Sequence, residues 1–486
     1  MLLLLAAATA NPGWGCCADH DAAGDCGKCR WWARGAFCEA HAVNCRKCGQ
    51  SLYCPKPTPP APPSPPPSAP VDLRADGGRL VSADGSEFLV KGISWYGMEE
   101  NYALFQGLEK ASLGFFLDFL RDQNFNALRV PLSVTNILDD KAPWMINPDL
   151  NVELYGLKQL AILDRIVSEA AKRNILVLLD MHRLKAGDTD QKLWHSEAVT
   201  EEQLLRAWRI LADHLCGAWN VMGADAFNEP NSASWGVGGP TVDWAAAAEK
   251  IGDAILSACP RWLILVQGVG DVALDGETAA APGQSELEHN WGGNLEGVRA
   301  RPIRLSRPEK LVYSPHVYGP SVADHDFFHA KNFTAAMPRI WDQHFGFVSS
   351  APIVVGEWGG WYDEWKRGRD SSDVEWQQAF ARYLRTRRIG SFYWSLNPTS
   401  GDTGGILRND WRSPQLKKLE LLASLEATPV RQSPAGGGGR AAAAKACTSS
   451  HDPGPDSPVA TCSKWCTAAQ AEFHCTWCYC RACDFC

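Results

Sequence analysis

Two glutamates stand where short apolar runs, of the kind that predict buried strands, come to an end. Glu229 lies in Ala226-Phe227-Asn228-Glu229-Pro230, and Glu357 lies in Val354-Val355-Gly356-Glu357-Trp358. A carboxylate at the end of a core strand is costly to desolvate unless it is paired or takes part in chemistry. The two residues therefore predict a shared pocket in which one glutamic acid donates a proton and the other attacks as a nucleophile.

Other polar and aromatic side chains also stand at the ends of apolar runs. These are Arg129, His182, Asn228, His316, Tyr318 and Trp394. Each alone has an ordinary structural explanation, because a histidine at a strand end is more often a hydrogen-bonded structural residue than a catalyst. Their joint occurrence is better explained by one functional site at the carboxyl ends of neighbouring strands.

The elements that must position these residues alternate between strand and helix. The eight apolar runs cover 88–97, 127–133, 174–181, 221–228, 263–269, 311–318, 352–358 and 390–396. Helix-like segments lie between them, for example at 155–173, 202–216, 242–258 and 373–387. This alternation predicts an α/β fold, a (β/α)8 TIM barrel. Long connections after strands and short ones after helices predict a cleft at the carboxyl ends of the strands.

Changes in composition divide the chain into modules. Residues 1–10 are apolar and end in Ala-x-Ala, which predicts a signal peptide cleaved after Ala10. A Pro-rich segment at 55–70 and a Gly/Ala-rich segment at 431–446 predict an extended and a flexible linker. The linkers separate a cysteine-rich module at 11–54, a large domain at 71–430 and a second cysteine-rich module at 447–486.

Cysteine is distributed unevenly along the chain. Of the 18 cysteines, eight lie from Cys16 to Cys54 and eight from Cys447 to Cys486. Repeated Cys-x-x-Cys allows zinc, but a secreted protein favours disulfides, whose connectivity stays open. Cys216 and Cys259 lie between the clusters, and there buried free thiols are favoured over a disulfide.

The overall composition argues against some classes of partner. The net charge is -8 and no basic stripe is present, which argues against nucleic acid. No later run approaches the roughly 20 apolar residues of a membrane span. The 21 tryptophans are many for this length, and their flat faces suit sugar rings. We expect a secreted, extracellular monomer, with association with a cell wall left open.

A family resemblance rests on several ordered motifs. They are Asn228-Glu229-Pro230, His316-x-Tyr318, Gly356-Glu357 and Trp394-Ser395-x-Asn397-Pro398. Together they resemble glycoside hydrolase family 5, in a superfamily of barrels with glutamates on strands four and seven. Further segments are similar to the endo-β-1,4-glucanases (cellulases) of that family. These are Gly92-Ile93-Ser94-Trp95-Tyr96-Gly97, Trp291-Gly292-Gly293-Asn294-Leu295 and Ser400-Gly401-Asp402-Thr403-Gly404-Gly405-Ile406-Leu407, and the resemblance spans nearly all of 75–425.

The resemblance implies a retaining mechanism and assigns its central roles. Glu229 would be the acid/base and Glu357 the nucleophile, with the two carboxyl groups roughly 5–5.5 Å apart. Arg129 would keep Glu357 ionised through its charge and its fork of donors. Tyr318 would do the same through a phenolic hydrogen bond.

The resemblance also implies sugar-binding residues. Asn228 would bind the sugar 2-OH, His182 and His316 would orient the glucose, and Trp394 would form the floor beneath the cleaved residue. Weaker subsite candidates, for which core packing is as good an explanation, are Trp95, Trp194, Trp235, Trp291 and Trp361. Asp180-x-His182 has no third metal ligand in view, and we expect no metal or cofactor.

The substrate is less certain than the reaction. The expected partner is a β-glucan such as cellulose, and a hydrolase of the same fold acting on mannan, xyloglucan or mixed-linkage glucan is an alternative. A wall-associated glucan-binding lectin with an inactive barrel is a second alternative, against which the intact pair Glu229 and Glu357 argues. Aromatic residues in the cysteine-rich modules favour carbohydrate binding there, because a tethered sugar binder raises the local enzyme concentration on a polymer. The modular arrangement resembles cellulases of green algae.

Overall fold

A computed structural model describes residues 71–189, 192–270, 287–362 and 372–430, and the backbone of two short antiparallel strands, Trp14–Cys16 and Tyr53–Pro55. The predicted signal peptide, both linkers apart from Pro55, the second cysteine-rich module and the rest of the first lie outside the described residues. The module boundaries therefore stay predictions. None of the helices in the described ranges is long and apolar enough to cross a membrane.

Eight parallel strands form the centre of the large domain. They are β1 Lys91–Ser94, β2 Ala127–Ser133, β3 Leu176–Arg183, β4 Val221–Asp225, β5 Leu263–Val266, β6 in two pieces at Leu311–Tyr313 and His316–Tyr318, β7 Val354–Gly359 and β8 Gly390–Tyr393. Almost all of their residues are buried, as expected for parallel strands that helices cover from outside. Each strand overlaps one of the apolar runs identified in the sequence.

The sheet closes on itself through β6. The first piece of β6 pairs with β5, and the second piece pairs with β7. The two pieces are therefore the first and the last segment in the order of hydrogen-bonded neighbours, and they belong to one strand. Pro315 separates the pieces, since proline has no N–H to offer to a ladder. Its carbonyl still accepts the Gly356 N–H at 3.0 Å, and Tyr313 bridges to Ile353 at the start of β7. The strands thus form a closed barrel, and the predicted (β/α)8 fold is confirmed.

Helices surround the barrel and mostly follow its strands. The α-helices of the described ranges are α1 Leu113–Asp122, α2 Val134–Asp139, α3 Gln159–Ala171, α4 Glu201–Leu215, α5 Trp244–Ala258, α6 Phe333–Trp341, α7 Ser372–Arg387 and α8 Leu416–Ala423. Short 3-10 helices occupy Glu296–Arg299, Pro308–Lys310 and Asp326–His329, and a π-helical turn occupies Asp342–Gly346. Four of the α-helices, α3, α4, α5 and α7, confirm the four helix-like segments named from the sequence.

Local sequence explains where these helices begin. Thr200 caps α4 by accepting the Gln203 N–H, and the Gln203 side chain accepts the Thr200 N–H in return, which is a capping box. Asp243 caps α5 by accepting the Ala246 N–H. Each helix therefore starts at a fixed residue after its loop, which fixes the length of the loop that carries functional side chains.

The amino ends of the strands are closed by a small hairpin. Its strands are Arg74–Asp76 and Arg79–Val81. Leu73 and Leu80 join the inner core of the barrel with Leu176 and Leu178 of β3. Because apolar side chains fill this end, a ligand has access to the barrel from the carboxyl ends of the strands.

One expectation about cysteine is wrong. Cys216 and Cys259 form a disulfide, with their Cα atoms 5.5 Å apart, and are not free thiols. Cys216 follows α4 and Cys259 follows α5, and these two helices pack side by side in the barrel. The ends of neighbouring helices therefore bring together two residues that are 43 positions apart.

Candidate active site

A cleft of about 520 Å³ opens at the carboxyl ends of the strands. Its lining includes residues at the carboxyl ends of β3, β6 and β7 and residues from the loops after β4, β5, β6 and β8. Of the predicted site residues, the cleft wall contains His182, Glu229, Trp291, Tyr318, Glu357 and Trp394. Asn228 lines a smaller adjoining cavity of about 110 Å³ together with Glu229 and Trp291. The structure thus gathers at one face most of the residues singled out in the sequence.

Glu357, at the carboxyl end of β7, is held by donors on both carboxylate oxygens. Arg129 Nη1 donates to Oε1 at 2.5 Å, and the Tyr318 hydroxyl donates to Oε2 at 2.5 Å. The Glu357 side chain is only 5% exposed, so these bonds act with little competition from water. Burial raises the pKa of Tyr318 well above its ordinary value, which keeps the phenol a donor. The two donors fix the orientation of the Glu357 carboxyl group, with one oxygen bound by each.

Arg129 is a fully buried cation that serves several carboxylates. Its Nη2 also lies 3.1 Å from Asp180 Oδ2 and 2.9 Å from Asp225 Oδ2, and it donates to Asn228 Oδ1 at 3.0 Å. One guanidinium therefore faces three acidic side chains in a site without solvent. Burial raises the pKa of Asp180 to about 7 and that of Asp225 to about 6. The aspartates keep protons more readily than they would in water, which reduces the net negative charge around Glu357.

Glu229 stands directly after β4 in an unusual backbone conformation. Its φ is +47°, in the left-handed region that residues other than glycine rarely occupy. The Glu229 N–H donates to Gln267 Oε1 at 2.8 Å, and Gln267 Nε2 donates to both oxygens of Asp225 at 2.9 and 3.0 Å. Gly292 leaves room for this contact, since a Cβ there would come 2.9 Å from Gln267 Oε1 and 3.4 Å from Glu229 Cγ. The backbone of Glu229 is therefore held by a buried amide.

The environment of Glu229 favours its protonated form. Burial raises the pKa of Glu229 to about 8. His316 Nδ1 and Glu229 Oε1 share a hydrogen bond of 2.8 Å, and burial lowers the pKa of His316 to about 4, so this imidazole is neutral. The two glutamates thus differ in their surroundings, because Glu357 faces a guanidinium and Glu229 faces a neutral ring. Two carboxyl groups whose surroundings differ in this way can supply one acid and one nucleophile.

The two carboxyl groups lie close together. One oxygen of Glu229, one of Glu357 and a ring nitrogen of His316 all lie within 4.8 Å of one another. This spacing suits direct attack on a sugar held between the carboxyl groups, because inverting enzymes need roughly 6.5–9.5 Å to admit a water. The three side chains could also ligate a metal ion. Both oxygens of Glu357 already accept bonds from Arg129 and Tyr318, so the donor set fits proton chemistry better than a cation.

His182 and Trp394 form a flat wall beside the glutamates. Their rings are parallel within 7° with centroids 5.5 Å apart, and Tyr96 stacks on Trp394 at 5.3 Å. His182 Nδ1 lies 2.7 Å from Asp180 Oδ2, and burial holds the pKa of His182 well below its usual range. The neutral ring and Asp180 therefore share a buried hydrogen bond, which fixes the orientation of the imidazole.

Several tryptophans proposed as subsites lie elsewhere. Trp95, Trp194 and Trp235 are at most 2% exposed, and each indole N–H is bonded within the protein, to Gln106 O, Glu201 Oε2 and Arg301 O respectively. They belong to the core, so the expectation that Trp95 contacts substrate is wrong. Trp361 lines a separate cavity of about 240 Å³. Trp291 is 50% exposed and lines the cleft, where its face is open to a ligand.

The site also contains residues that the sequence analysis did not select. Asp225 and Gln267 are buried between the strands and hold Arg129 and Glu229. Asn290 lines the cleft and accepts the Tyr318 N–H at 2.8 Å. Asp225 and Gln267 are polar residues within or directly after apolar strands, the same signal that identified Arg129 and His182. Asn290 lies in a long loop and has no comparable local signal.

Comparisons with known proteins agree with this geometry. The profile of the cellulase family (glycosyl hydrolase family 5) matches residues 81–400. The chain is 38% identical over 356 residues to an endoglucanase of Paenibacillus polymyxa, which covers 72% of this chain and 85% of the relative. It is 35% identical over 359 residues to the major extracellular endoglucanase of Xanthomonas campestris pv. campestris, with 73% of this chain and 71% of the relative covered.

Solved structures show the same domain. The catalytic domain of the Xanthomonas campestris pv. campestris major endoglucanase is similar with a TM-score of 0.67 at 35% identity, covering 72% of this chain and 99% of that one. A cellotetraose complex of an endocellulase from Pyrococcus horikoshii has a TM-score of 0.66 at 34% identity, covering 73% and 98%. The resemblance drawn from the motifs is confirmed. The barrel, its two facing glutamates and the matched profile together show that the chain belongs to the cellulase family, glycosyl hydrolase family 5, and is a glycoside hydrolase.

Proposed function

We propose that the chain is a retaining endo-β-1,4-glucanase that hydrolyses cellulose or related β-glucans. The observation that carries this proposal is the pair Glu229 and Glu357, which face one cleft with oxygens within 4.8 Å and have different hydrogen-bond partners. The names of the relatives, an endoglucanase and a major extracellular endoglucanase, support a glucan over mannan.

The first step forms a covalent intermediate. A carboxylate oxygen of Glu357 attacks the anomeric carbon, the glycosidic C–O bond breaks, and the proton of Glu229 passes to the departing oxygen. Because the pKa of Glu229 is raised to about 8, its side chain is protonated at neutral pH and can donate that proton. The products are a glycosyl ester on Glu357, an ionised Glu229 and a shortened chain with a new free hydroxyl.

The second step releases the sugar. The Glu229 carboxylate takes a proton from a water molecule, whose oxygen attacks the anomeric carbon and displaces Glu357 as a carboxylate. Two inversions at one carbon restore the original configuration. Arg129 and Tyr318 contribute to both steps, because they hold the Glu357 carboxyl group in position for attack and stabilise the carboxylate that forms as it departs.

The cleft residues around the glutamates would hold the substrate. Asn228 Oδ1 accepts a hydrogen bond from Arg129, so the amide nitrogen of Asn228 would be the donor to the sugar 2-OH. His182, which lines the cleft, would orient the glucose, and Trp394 would support its apolar face. The side chain of His316 is buried beneath the cleft, so it would act through Glu229 and not by contact with the sugar, as was expected from the sequence. Trp291 would stack on the sugar of the leaving group, since its neighbour Gly292 lies against Glu229. Stacking on aromatic rings and bonds to equatorial hydroxyls together suit a β-glucan.

We also propose that the protein is secreted and acts as a monomer on an insoluble polymer. The disulfide between Cys216 and Cys259 supports an oxidising compartment, as do the predicted signal peptide and the cysteine-rich modules. The modules at 11–54 and 447–486 would bind carbohydrate and keep the barrel near its substrate. The contribution of the second module can be measured by pull-down on cellulose. The bound fraction of the full chain is compared with that of a chain that ends at residue 430.

A panel of glycans tests the central proposal. Purified protein should release reducing ends from carboxymethylcellulose and lower its viscosity early, which is the behaviour of an enzyme that cuts within chains. Glu357→Gln should lose at least about 10³-fold of this activity, because the nucleophile is absent. Glu420→Gln, at an exposed position on α8, is the matched control and should keep it.

Other results of the same panel would contradict the proposal. Turnover of mannan alone would assign the second substrate class. Binding to cellulose without turnover of any glycan would favour the lectin. Products that form with inverted anomeric configuration, measured by NMR during the first minutes, would exclude the double displacement.

A further inference from the structure

A continuous row of side chains leads from the cleft wall to the outer surface. Tyr96 stacks on Trp394 with centroids 5.3 Å apart and planes within 11°, and Trp394 lines the cleft. At the far end Trp144 meets Tyr102 edge to face, with centroids 6.4 Å apart and planes at 82°. The Trp144 side chain is 69% exposed, so a large flat apolar face is open to solvent there.

Hydrogen bonds join the two aromatic pairs. The hydroxyls of Tyr96 and Thr399 are 2.6 Å apart, and Thr399 Oγ1 donates to Gln106 Oε1 at 2.5 Å. Gln106 Nε2 donates to the Tyr102 hydroxyl at 2.5 Å. We call the row Trp394, Tyr96, Thr399, Gln106, Tyr102 and Trp144 the glycone strip. Two aromatic pairs stand on either side of two polar side chains, Thr399 and Gln106. Such a surface can meet both the apolar faces and the equatorial hydroxyls of a sugar chain.

The barrel order places the strip on one side of the active site. Its residues follow β8, β1 and β2, which are neighbours in the sheet. Trp291 follows β5, which stands across the barrel from β1. A chain that passes over Trp291 and between the two glutamates would therefore leave the cleft over the loops after β8, β1 and β2.

We propose that the glycone strip binds glucosyl units of the same β-glucan chain beyond the cleft, on the non-reducing side, with Trp144 as the outer stacking platform. The direction follows from the chemistry, because Glu357 attacks the sugar above Trp394 and Glu229 protonates the oxygen on the side of Trp291. The proposal rests on the proposed glucanase function and adds to it a preference for long chains.

Chain-length dependence tests the strip. The substrates are unmodified oligosaccharides from cellotriose to cellohexaose, and the variant is Trp144→Ala in the full chain. The variant should match the wild type on cellotriose and lose about three- to tenfold in kcat/KM on cellohexaose, mainly through KM, because a stacking contact is lost only with long substrates. Trp144→Phe should keep most of the wild-type value. Tyr155→Ala removes another exposed aromatic side chain from the same connection and should change nothing.

Three results would overturn the inference. Equal rates of Trp144→Ala and wild type at every length would show that the indole does not contact substrate. Equal losses at every length, cellotriose included, would indicate a general disturbance of the loop. A wild-type protein that turns over no oligosaccharide would remove the proposed function itself, and this outcome is distinguishable because it needs no variant.

Discussion

The guanidinium of Arg129 donates to the carboxylate of Glu357 at 2.5 Å, although the two residues are 228 positions apart and stand on β2 and β7. Both side chains are almost without solvent exposure. The same cation holds Asp180, Asp225 and Asn228, so it joins the nucleophile to residues of β3 and the end of β4. The catalytic face is thereby tied together by one residue, and its removal should affect stability and catalysis at once.

Replacement of Arg129 by methionine should lower both properties. The variant leaves buried carboxylates without their cation, and breaking such a pair reduces the free energy of unfolding by about 3–5 kcal/mol. We expect the activity on carboxymethylcellulose to fall at least about 100-fold, since Glu357 loses the charged donor that positions its Oε1. Urea unfolding and initial rates measure the two effects. Arg382→Met, at an exposed position on α7, is the control, and a comparable loss there would contradict the assignment.

The pKa of Glu229 predicts the alkaline limit of activity. A general acid acts in its protonated form, and burial keeps Glu229 protonated up to about pH 8. We therefore expect kcat/KM on a polymeric β-glucan to fall as pH rises through about 8, with a limiting slope near tenfold per pH unit. The rate of glycosyl-enzyme formation from an aryl cellobioside with a very acidic leaving group should not fall in this way above pH 8, because that group departs without a proton. An equal loss of rate at alkaline pH for both substrates would contradict the assignment of Glu229 as the general acid.

The same pKa affects stability with a definite sign. The unfolded chain releases the Glu229 proton near the ordinary glutamate pKa of 4.5, whereas the pKa in the folded protein is about 8. Between these values the folded state binds more protons, so the contribution of Glu229 to the free energy of unfolding falls as pH rises. Glu229→Gln cannot ionise and should be more stable relative to wild type at pH 9 than at pH 5. Urea unfolding at the two pH values measures this difference.

Gln267 should act as a positioning residue for the acid. Its Oε1 accepts the Glu229 N–H at 2.8 Å, at a backbone whose φ of +47° needs support. Gln267→Ala should lower kcat on a polymeric glucan about tenfold or more and lower the glycosylation rate with an activated aryl leaving group much less. Gln159→Ala, which removes a buried amide bonded to Met98 O, is the matched control for lost packing. Equal losses with both substrates would indicate a general structural effect.

The disulfide between Cys216 and Cys259 should stabilise the barrel without affecting catalysis. It closes a loop with a sequence separation of 43, for which the chain-entropy model gives about 4 kcal/mol. The double substitution Cys216→Ser with Cys259→Ser should therefore lower Tm by several degrees. Both cysteines follow helix ends that precede the next strand, on the side away from the cleft. Initial rates well below Tm should be unchanged, and a large loss of kcat would contradict this separation.

Local sequence was sufficient for the barrel and for its central pair. The runs that end at Glu229 and Glu357 are apolar, and a glutamate in such a run is explained by chemistry more readily than by packing. Alternating strand and helix signals led to the same fold as the structure. Both kinds of signal depend on neighbours within a few positions, which is why they could be recognised in one sequence.

Other features depended on contacts between distant segments. Trp95 and Trp291 both lie in short motifs that contain glycines, yet Trp95 is buried against Phe105 and Trp291 is half exposed in the cleft. The pairing of Cys216 with Cys259 required two helices to end side by side, and the role of Gln267 required β5 to lie next to β4. Residue type alone predicts neither the burial of a tryptophan, nor the pairing of two cysteines, nor the contact of a buried glutamine.

By itself, the sequence determined which residues could react and how many strands would carry them, because polarity and periodicity are local properties. Only the tertiary structure decided that the guanidinium of Arg129 faces Glu357 while the neutral ring of His316 faces Glu229. Only the folded chain also buries Glu229, and this burial raises its pKa to about 8. The physical reason is that desolvation and charge act through space, and closure of the barrel brings these side chains within hydrogen-bonding distance.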